Sequence, residues 1–271
     1  MELEYNEGMI RLGAFLATLL VLYAAQWRWP ARGDGRAARR QWVNLCLVAI
    51  DAAVLRVAFP VLAVAWAASV HGGGLFGWLA WPAWLSIPVA ILLLDLAIYW
   101  QHRLMHLWPW LWRLHRVHHA DTAFDVTTGV RFHPLEIALS MGIKLALISL
   151  LGPHPAAVLA FELMLSLGSL FTHTDIALPA WLDRRLRWLL VTPSMHRIHH
   201  STRRLETDSN YGFHLSVWDR CFGSYRAEPA EDERRMPIGL PVWREAADQR
   251  LWALLMNPFL GDEPRSEQRH A

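Results

Sequence analysis

The sequence has 271 residues, of which 54% are hydrophobic; it contains 16 tryptophans and carries a formal net charge of +2. This composition is too apolar for an ordinary soluble domain. The sequence also contains no phosphate-binding loop and no nucleic-acid-binding module, so we expect no nucleic-acid partner. Its two cysteines, Cys46 and Cys221, provide neither a disulfide framework nor a CxxC metal motif.

Five apolar runs, taken in chain order, predict the membrane-spanning helices. They cover residues 9–27, 42–70, 78–100, 137–151 and 156–172. A helix needs about 20 mostly apolar residues to cross a bilayer, and the first three runs reach that length. The last two are shorter and fit a helical hairpin that turns at the Gly-Pro-His-Pro stretch of residues 152–155. We therefore predict an all-α integral membrane protein with four to five transmembrane helices.

The charged segments between the runs predict how these helices are oriented. Five arginines lie between residues 28 and 40, and short arginine-rich loops stay in the cytoplasm. Counting crossings from this loop places His71 and His154 on the far side and the end of the fifth run on the cytoplasmic side. The acidic N-terminal stretch MELEYNEG lacks the basic region of a cleaved signal peptide. We expect the charged residues 226–271 to form a cytoplasmic tail.

Nine histidines fall on the predicted cytoplasmic side, after the third and fifth apolar runs. They are His102, His106, His115, His118, His119, His173, His196, His199 and His200. LHRVHHA at 114–120 and MHRIHHS at 195–201 repeat one pattern, and spacings of three or four residues place side chains on one helix face. Nine imidazoles are too many for one ion, whereas two ions with four or five ligands each would use that number. The sequence therefore predicts a cytoplasmic, histidine-rich helical cap that holds a dimetal centre.

Several polar residues near these histidines are candidates to hold the ligating imidazoles by hydrogen bonds. A metal-bound histidine usually donates its second ring N–H to a carboxylate, a carbonyl or water. Asp208 is the first candidate acceptor, and Asp121, Glu136 and Asp175 are weaker ones. His133 precedes a proline at a predicted helix start, where three roles stay open: helix cap, hydrogen-bond partner of a ligand, or tenth ligand.

Other charged residues occupy unusual positions in this apolar sequence. In each histidine stretch an arginine follows the leading histidine and points about 100° away from it around the helix, so we expect it at the lipid interface. These arginines are Arg103, Arg116 and Arg197. Charges inside a bilayer are unfavourable, so charged residues within the apolar runs should face protein or water. These residues are Asp51, Arg56, Asp95 and Lys144.

Taken together, the histidine stretches resemble a known family. HRLMH at 102–106, HRVHH at 115–119 and HRIHH at 196–200 are similar to the three histidine boxes of the fatty acid hydroxylase/sterol desaturase superfamily of membrane di-iron oxygenases. The resemblance implies that the eight box histidines and His173 bind two iron ions, with O₂ as co-substrate. The family commonly has asparagine where this sequence has Asp175. We interpret residues 1–93 as N-terminal transmembrane helices with a basic loop, 94–225 as the catalytic domain, and 226–271 as the tail.

The resemblance also implies a function, namely O₂-dependent hydroxylation or desaturation of a lipid such as a fatty acyl, sterol or isoprenoid chain. Breaking an unactivated C–H bond needs a redox metal, because no side chain can do it. The sequence contains no flavin-binding unit, Fe–S cysteine motif or cytochrome segment, so we expect a separate cytochrome, ferredoxin or reductase to donate electrons. Zinc also binds histidine nitrogens and can occupy such sites in purified material.

Two alternative functions stay open at this point. Some relatives in the superfamily act on ether lipids or isomerise lipids, and the histidine spacing does not distinguish these reactions. A divalent-metal-binding or transport protein is an alternative of a different class. Transporters place their ligands near the bilayer midplane rather than at one surface, so we favour the lipid hydroxylase or desaturase.

Overall fold

Helices make up the regular secondary structure of this protein. The computed structural model describes the backbone of residues 2–59 and 61–261 and the side chains from residue 7 onward within those ranges. The helices are α1 (Glu2–Arg28), α2 (Ala38–Ala58), α3 (Ala63–Val70), α4 (Gly74–Leu79), α5 (Ala83–Leu107), α6 (Pro109–His119), α7 (Pro134–Leu151), α8 (Pro155–Thr172), α9 (Ala180–Leu186), α10 (Pro193–His199), α11 (Arg204–Thr207), α12 (Val217–Cys221) and α13 (Leu251–Met256). Two 3-10 helices, Val126–Val130 and Asn257–Phe259, complete the set. These described ranges contain no strand, which confirms the predicted all-α fold.

Five helical segments of the described chain are long and apolar enough to cross a membrane. They are Glu7–Arg28, Ala38–Leu79, Ala83–Leu107, Pro134–Leu151 and Pro155–Thr172. Their number equals the upper limit of the sequence prediction. The second predicted run is not a single helix, because α2 ends at Ala58 and the chain then forms the short helices α3 and α4. A proline follows Phe59 in the sequence, and a proline disfavours helical geometry in the residue before it.

The helices α7 and α8 form the predicted hairpin. Gly152 ends α7 with a φ of 61°, which glycine adopts without strain. Nδ1 of His133 and Nδ1 of His154 each accept a hydrogen bond of 3.1 Å from the backbone N–H two residues later, so these histidines cap the starts of α7 and α8. The rings of His71 and His154 lie 4.9 Å apart. The two predicted far-side turns therefore meet at one end of the helices, opposite the nine candidate ligands.

Apolar residues hold the membrane-spanning helices together. Leu94 of α5, Ile148 of α7 and Phe161 of α8 belong to one buried cluster, and Ala63 and Ala67 of α3 are fully buried in it. Small residues let neighbouring helices approach closely in a membrane protein. The short helix α3 therefore packs against the α7–α8 hairpin.

The segment after α12 packs onto the histidine-rich end of the molecule. Met236 and Ile238 share a buried cluster with Phe124, and Leu254 of α13 packs against Val117 of α6. The described part of the predicted tail is therefore attached to the helices that carry the histidines. Residues 262–271, the end of that predicted tail, lie outside the described residues.

Two of the three arginines expected at the lipid interface are instead buried in protein. Arg116 of α6 is fully buried and donates from Nε to Oδ1 of Asn257 at 2.8 Å. Arg197 of α10 is 1% exposed and forms an ion pair with Glu233. The expectation was wrong for both because their acceptors come from the C-terminal segment, which the spacing within a histidine box does not reveal. Arg103, by contrast, is half-buried at the end of α5.

Candidate metal centre

All nine predicted histidines lie together at one end of the helices. The end of α5, the second half of α6, the residue after α8, and α10 with the residue after it supply them. The helical spacings bring the rings to one side of each element, as the sequence predicts. Each of the nine is at most 5% exposed: His102, His106, His115, His118, His119, His173, His196, His199 and His200. These histidines therefore form a shared interior site.

The candidate ligand atoms form two groups, in each of which one ring nitrogen per histidine lies within 4.8 Å of the others. The five-histidine group consists of His102, His106, His115, His119 and His199. The four-histidine group consists of His118, His173, His196 and His200. The groups are adjacent, because the rings of His119 and His200 stack with centroids 4.5 Å apart. Both α6 and α10 contribute to both groups.

The four-histidine group has the dimensions of a metal site. Nε2 of His173 lies 3.0 Å from Nε2 of His196, 3.1 Å from Nε2 of His118 and 3.2 Å from Nε2 of His200. Metal–nitrogen bonds of about 2.0–2.1 Å place neighbouring ligand atoms roughly 2.8–3.4 Å apart in octahedral or tetrahedral geometry. The nitrogens of this group are therefore spaced as the ligands of a single ion are.

The five-histidine group contains buried nitrogens that no atom of the described residues satisfies. The Nε2 atoms of its members are buried and make no hydrogen bond within residues 2–59 and 61–261. Buried polar atoms normally have a partner, so five unpartnered nitrogens side by side need another explanation. A bound metal ion satisfies such atoms directly. The donor sets of both groups therefore fit metal ions.

The opposite ring nitrogen of five histidines is held in place by an acceptor. Nδ1 of His115 lies 2.7 Å from Oε1 of Glu136. Backbone carbonyls serve the others: Tyr211 for His102 at 2.8 Å, Arg131 for His118 at 3.1 Å, Ser169 for His173 at 2.8 Å and Ser209 for His199 at 2.7 Å. A carbonyl can only accept, so each of these Nδ1 atoms carries the proton. The Nε2 lone pairs are consequently free to ligate a metal.

Burial keeps six of these imidazoles neutral. Removal from water lowers the pKa of His173 to about 4 and the pKa of His199 to about 3. Burial also lowers the pKa of His118, His119, His196 and His200. Only the neutral ring offers a lone pair to a metal, so the site favours the ligating form at neutral pH.

The predicted carboxylate partners of the imidazoles differ in where they lie. Glu136, one of the weaker candidates, contacts His115 directly. Oδ1 of Asp208 lies 3.5 Å from Nδ1 of His106, which is longer than a good hydrogen bond. Asp121 instead pairs with Arg40 at 2.5 Å, and Asp175 accepts hydrogen bonds from the backbone N–H groups of residues 32 and 33. Asp121 and Asp175 therefore brace the loop that leads into α2.

His133 belongs to neither histidine group. Its Nδ1 caps α7, and its Nε2 lies 3.1 Å from the carbonyl oxygen of Leu255. With both ring nitrogens in use, His133 does not hold a ligating imidazole, and the predicted role as a hydrogen-bond partner of a ligand was wrong. Of the three roles that the sequence left open, the structure assigns the helix cap.

The four charged residues of the apolar runs have four different environments. Asp95 accepts a hydrogen bond of 2.8 Å from Nε1 of Trp218 and lies 2.8 Å from Nδ1 of His214, so it anchors the segment that carries Tyr211. Lys144 pairs with Glu162 of the neighbouring helix. Arg56 is exposed, and Asp51 is buried with Oδ1 lacking a hydrogen-bond partner.

A cavity of about 300 Å³ lies beside the five-histidine group. His102 and His115 line one end, and Arg11, Lys144 and Glu162 line the other. Most of the wall between them is apolar and includes Ile98, Met105, Phe132, Met141, Leu165 and Phe213. Ligand sites are typically cavities of this kind, with apolar walls and a few polar groups.

Comparison with known proteins shows the family to which the chain that carries this site belongs. Residues 87–224 match the family described as fatty acid hydroxylase, and this match covers more than half of the chain and every one of the nine histidines. The chain belongs to the fatty acid hydroxylase family. The family region begins within α5 and ends after α12, so it includes both histidine groups and the α7–α8 hairpin.

Curated relatives of this fatty acid hydroxylase family member act on several lipids. Ornithine lipid hydroxylase OlsE of Rhizobium tropici is 28% identical over 55% of this chain and 44% of its own length. Alkylglycerol monooxygenase of Homo sapiens is 34% identical over 51% of this chain and 30% of its own length. Delta(7)-sterol-C5(6)-desaturase of Nicotiana tabacum is 26% identical over 59% of this chain and 56% of its own length. The chain thus spans less than half of the first two relatives. No solved structure matches it.

Proposed function

We propose that this protein is a membrane-bound, O₂-dependent oxidoreductase that hydroxylates or desaturates a lipid at a di-iron centre held by the nine histidines. The observation that carries the proposal is the convergence of nine buried imidazoles in two groups beside a mostly apolar cavity. Family membership supports a lipid substrate, namely a fatty acyl, sterol or isoprenoid chain. Hydroxylation is favoured, because OlsE is a hydroxylase and alkylglycerol monooxygenase a monooxygenase.

In this proposal each histidine group holds one iron ion. Imidazole nitrogen is a ligand that suits iron, and Asp208 is the acceptor proposed to support His106. Two bound iron ions supply the O₂ activation and the oxidising power that breaking an unactivated C–H bond requires.

The residues of the chain prepare the site for this chemistry. The carbonyls of Tyr211 and Ser209 orient His102 and His199. The carboxylate of Glu136 makes the imidazole of His115 a stronger metal ligand. The ring of Phe132 stacks on His118 at 4.5 Å and helps to exclude water from the histidines. A hydrocarbon group in the cavity would lie beside His102 and His115.

The reaction needs electrons from outside this chain. Hydroxylation inserts one oxygen atom of O₂ into a C–H bond and reduces the other to water with two electrons and two protons. We propose that a separate cytochrome, ferredoxin or reductase supplies the electrons. We also propose that the metal site faces the cytoplasm, in the inner membrane of a bacterium or the endoplasmic reticulum of a eukaryote. The arginine-rich loop of residues 28–40 supports this, because it contacts Asp121 and Asp175 at the same end of the helices as the histidines.

The decisive experiment combines metal analysis with lipid analysis. The protein is expressed with added iron, placed in nanodiscs, and examined by elemental analysis and Mössbauer spectroscopy. We expect two iron ions per chain, and O₂ consumption with an added reductant that yields a lipid gaining one oxygen atom or losing two hydrogen atoms. Metal transport into liposomes without O₂ consumption would favour the metal transporter instead and contradict the proposal.

A further inference from the structure

A group of charged residues lines the end of the cavity that is farthest from the histidines. Lys144 of α7 pairs with Glu162 of α8, and Arg11 of α1 donates to the same carboxylate, with Nη2 2.6 Å from Oε2. Lys144 is 7% exposed and Glu162 is 4% exposed. Ionised residues in the apolar part of a bilayer are unfavourable and commonly mark functional sites.

This charged group offers more hydrogen-bond donors than acceptors to the cavity. The ammonium of Lys144 has three N–H donors, and its hydrogen bond within the described residues goes to Oε1 of Glu162. The guanidinium of Arg11 has five donors and bonds to Glu7 and Glu162. A pure hydrocarbon chain filling the cavity would leave the other N–H donors of Lys144, which is buried, without partners, and this is unfavourable for a buried polar group. An oxygen acceptor on the ligand would satisfy them.

The charges around the cavity favour an uncharged acceptor. A carboxylate placed at Lys144 would lie next to the carboxylate of Glu162, and Asp51 and Glu136 also line the cavity. An ammonium group would be repelled by Lys144 and Arg11. A hydroxyl or carbonyl oxygen accepts from Lys144 without adding a charge to a region of low dielectric constant.

The helix geometry gives the distance from this group to the histidines. Glu136, which holds His115, and Lys144 both line the cavity and are eight residues apart on α7, a rise of about 12 Å. An extended chain advances about 1.2 Å per bond, so roughly ten bonds cover this distance.

We propose that Lys144, supported by Glu162 and Arg11, binds an uncharged oxygen of a lipid and holds it about ten bonds from the carbon beside the histidines. Lys144 is a positioning residue in this proposal, which rests on the proposed lipid oxidation. The substrate class is thus a lipid alcohol or carbonyl compound that is oxidised at an internal position, remote from its polar oxygen.

Binding of matched probes tests the site without relying on turnover. The metal-loaded protein in nanodiscs is titrated with octadecan-1-ol, octadecanoate and octadecane, and the thermal unfolding midpoint is recorded. We expect the alcohol to stabilise the protein most. Lys144→Met should lower the affinity for the alcohol by about tenfold or more, because it removes a hydrogen bond from a charged donor. The same change should not weaken the binding of octadecane and should strengthen it, because no ammonium donor is then left without a partner. Arg56→Met is the matched control, because Arg56 is exposed and does not line the cavity.

A second variant separates loss of binding from misfolding. It is needed because Lys144→Met leaves the buried carboxylate of Glu162 with Arg11 as its ion-pair partner. Lys144→Met/Glu162→Leu removes the ion pair, a replacement that proteins often tolerate. We expect this double variant to lose the preference for the alcohol and, where the probe is oxidised, to spread the product over several carbons. An unchanged preference for the alcohol, or stronger binding of octadecanoate, would overturn the proposal. Selective, Lys144-dependent binding without oxidation of any probe when O₂ and an added reductant are present would support the lipid-oxygen site and contradict the oxidoreductase proposal.

Discussion

Oε1 of Glu136 lies 2.7 Å from Nδ1 of His115, so a carboxylate at the start of α7 holds an imidazole of α6. Among the nine histidines, the described structure shows this one with a carboxylate at hydrogen-bond distance, whereas four others use backbone carbonyls. A carboxylate acceptor makes the imidazole a stronger metal ligand than a carbonyl does. Glu136 thus links the cavity wall to the five-histidine group.

Replacing Glu136 should weaken metal binding in a graded way. Glu136→Gln keeps an acceptor but removes the charge, whereas Glu136→Ala removes both. We expect Glu136→Ala to lower metal affinity by about 10–100-fold and Glu136→Gln to lower it less. Titration with a competing chelator measures the affinities. Glu206→Gln is the matched control, because Glu206 is buried but accepts from the backbone of Ala230. If Glu136→Ala bound metal as tightly as the wild-type protein, Glu136 would have no role in supporting a metal ligand.

Removing a histidine of the four-histidine group should remove metal and activity together. His118→Ala and His196→Ala each delete one of four closely spaced Nε2 atoms. Both histidines lie outside the five segments that are long and apolar enough to cross a membrane. We expect about half of the metal to be lost, with normal insertion into membranes. His71→Ala should be nearly silent, because His71 lies at the opposite end of the helices beside His154. Elemental analysis of the variants decides the point; full metal content would exclude the altered histidine as a ligand.

The convergence of the histidines could be predicted because it depends on helix periodicity and on counting membrane crossings. His102 and His106 share a helix face by spacing alone, and His173 joins them because the α7–α8 hairpin returns the chain to the same end. The carbonyls of Tyr211 and Ser209 could not be predicted, since every residue has a carbonyl and only the fold selects which one faces a ring. The ion pair of Lys144 could not be predicted either, because its partner Glu162 lies on the other helix of the hairpin.

The two buried arginines of the histidine boxes should matter for stability. Arg197→Met breaks the ion pair with Glu233, and Arg116→Met removes hydrogen bonds to Asn257. We expect each change to destabilise the fold by about 2 kcal/mol, because the acceptors that the arginine satisfied lose their donor. Arg103→Met is the control from the same position of the first box and should change stability by about 1 kcal/mol or less. Chemical unfolding followed by fluorescence in detergent measures these differences; equal effects in all three would contradict the structural distinction.

The neutral histidines also predict how stability depends on pH once metal has been removed by a chelator. Burial lowers the pKa of His173 to about 4 and of His199 to about 3, well below the ordinary value of a histidine. As the pH falls below about 6.5, these histidines bind protons in the unfolded chain but stay neutral in the folded chain. The free energy of unfolding should therefore decrease. Asp175, Asp208 and Asp219 act in the opposite direction, because burial raises the pKa of each carboxyl group, that of Asp219 to about 6. Six buried histidines of this kind outweigh these three carboxyl groups.

Thermal unfolding of the chelator-treated protein between pH 7.5 and pH 5 measures this dependence. We expect a midpoint that falls steadily below about pH 6.5 and is nearly constant above it, since both states then carry neutral histidines. Metal-loaded protein should show a steeper fall, because protons also compete with the metal for the same nitrogens. His71→Ala should follow the wild-type curve, since His71 lies far from the nine histidines. A flat profile down to pH 5 would mean that the histidines take up protons in the folded state, which would contradict a buried site of neutral ligands.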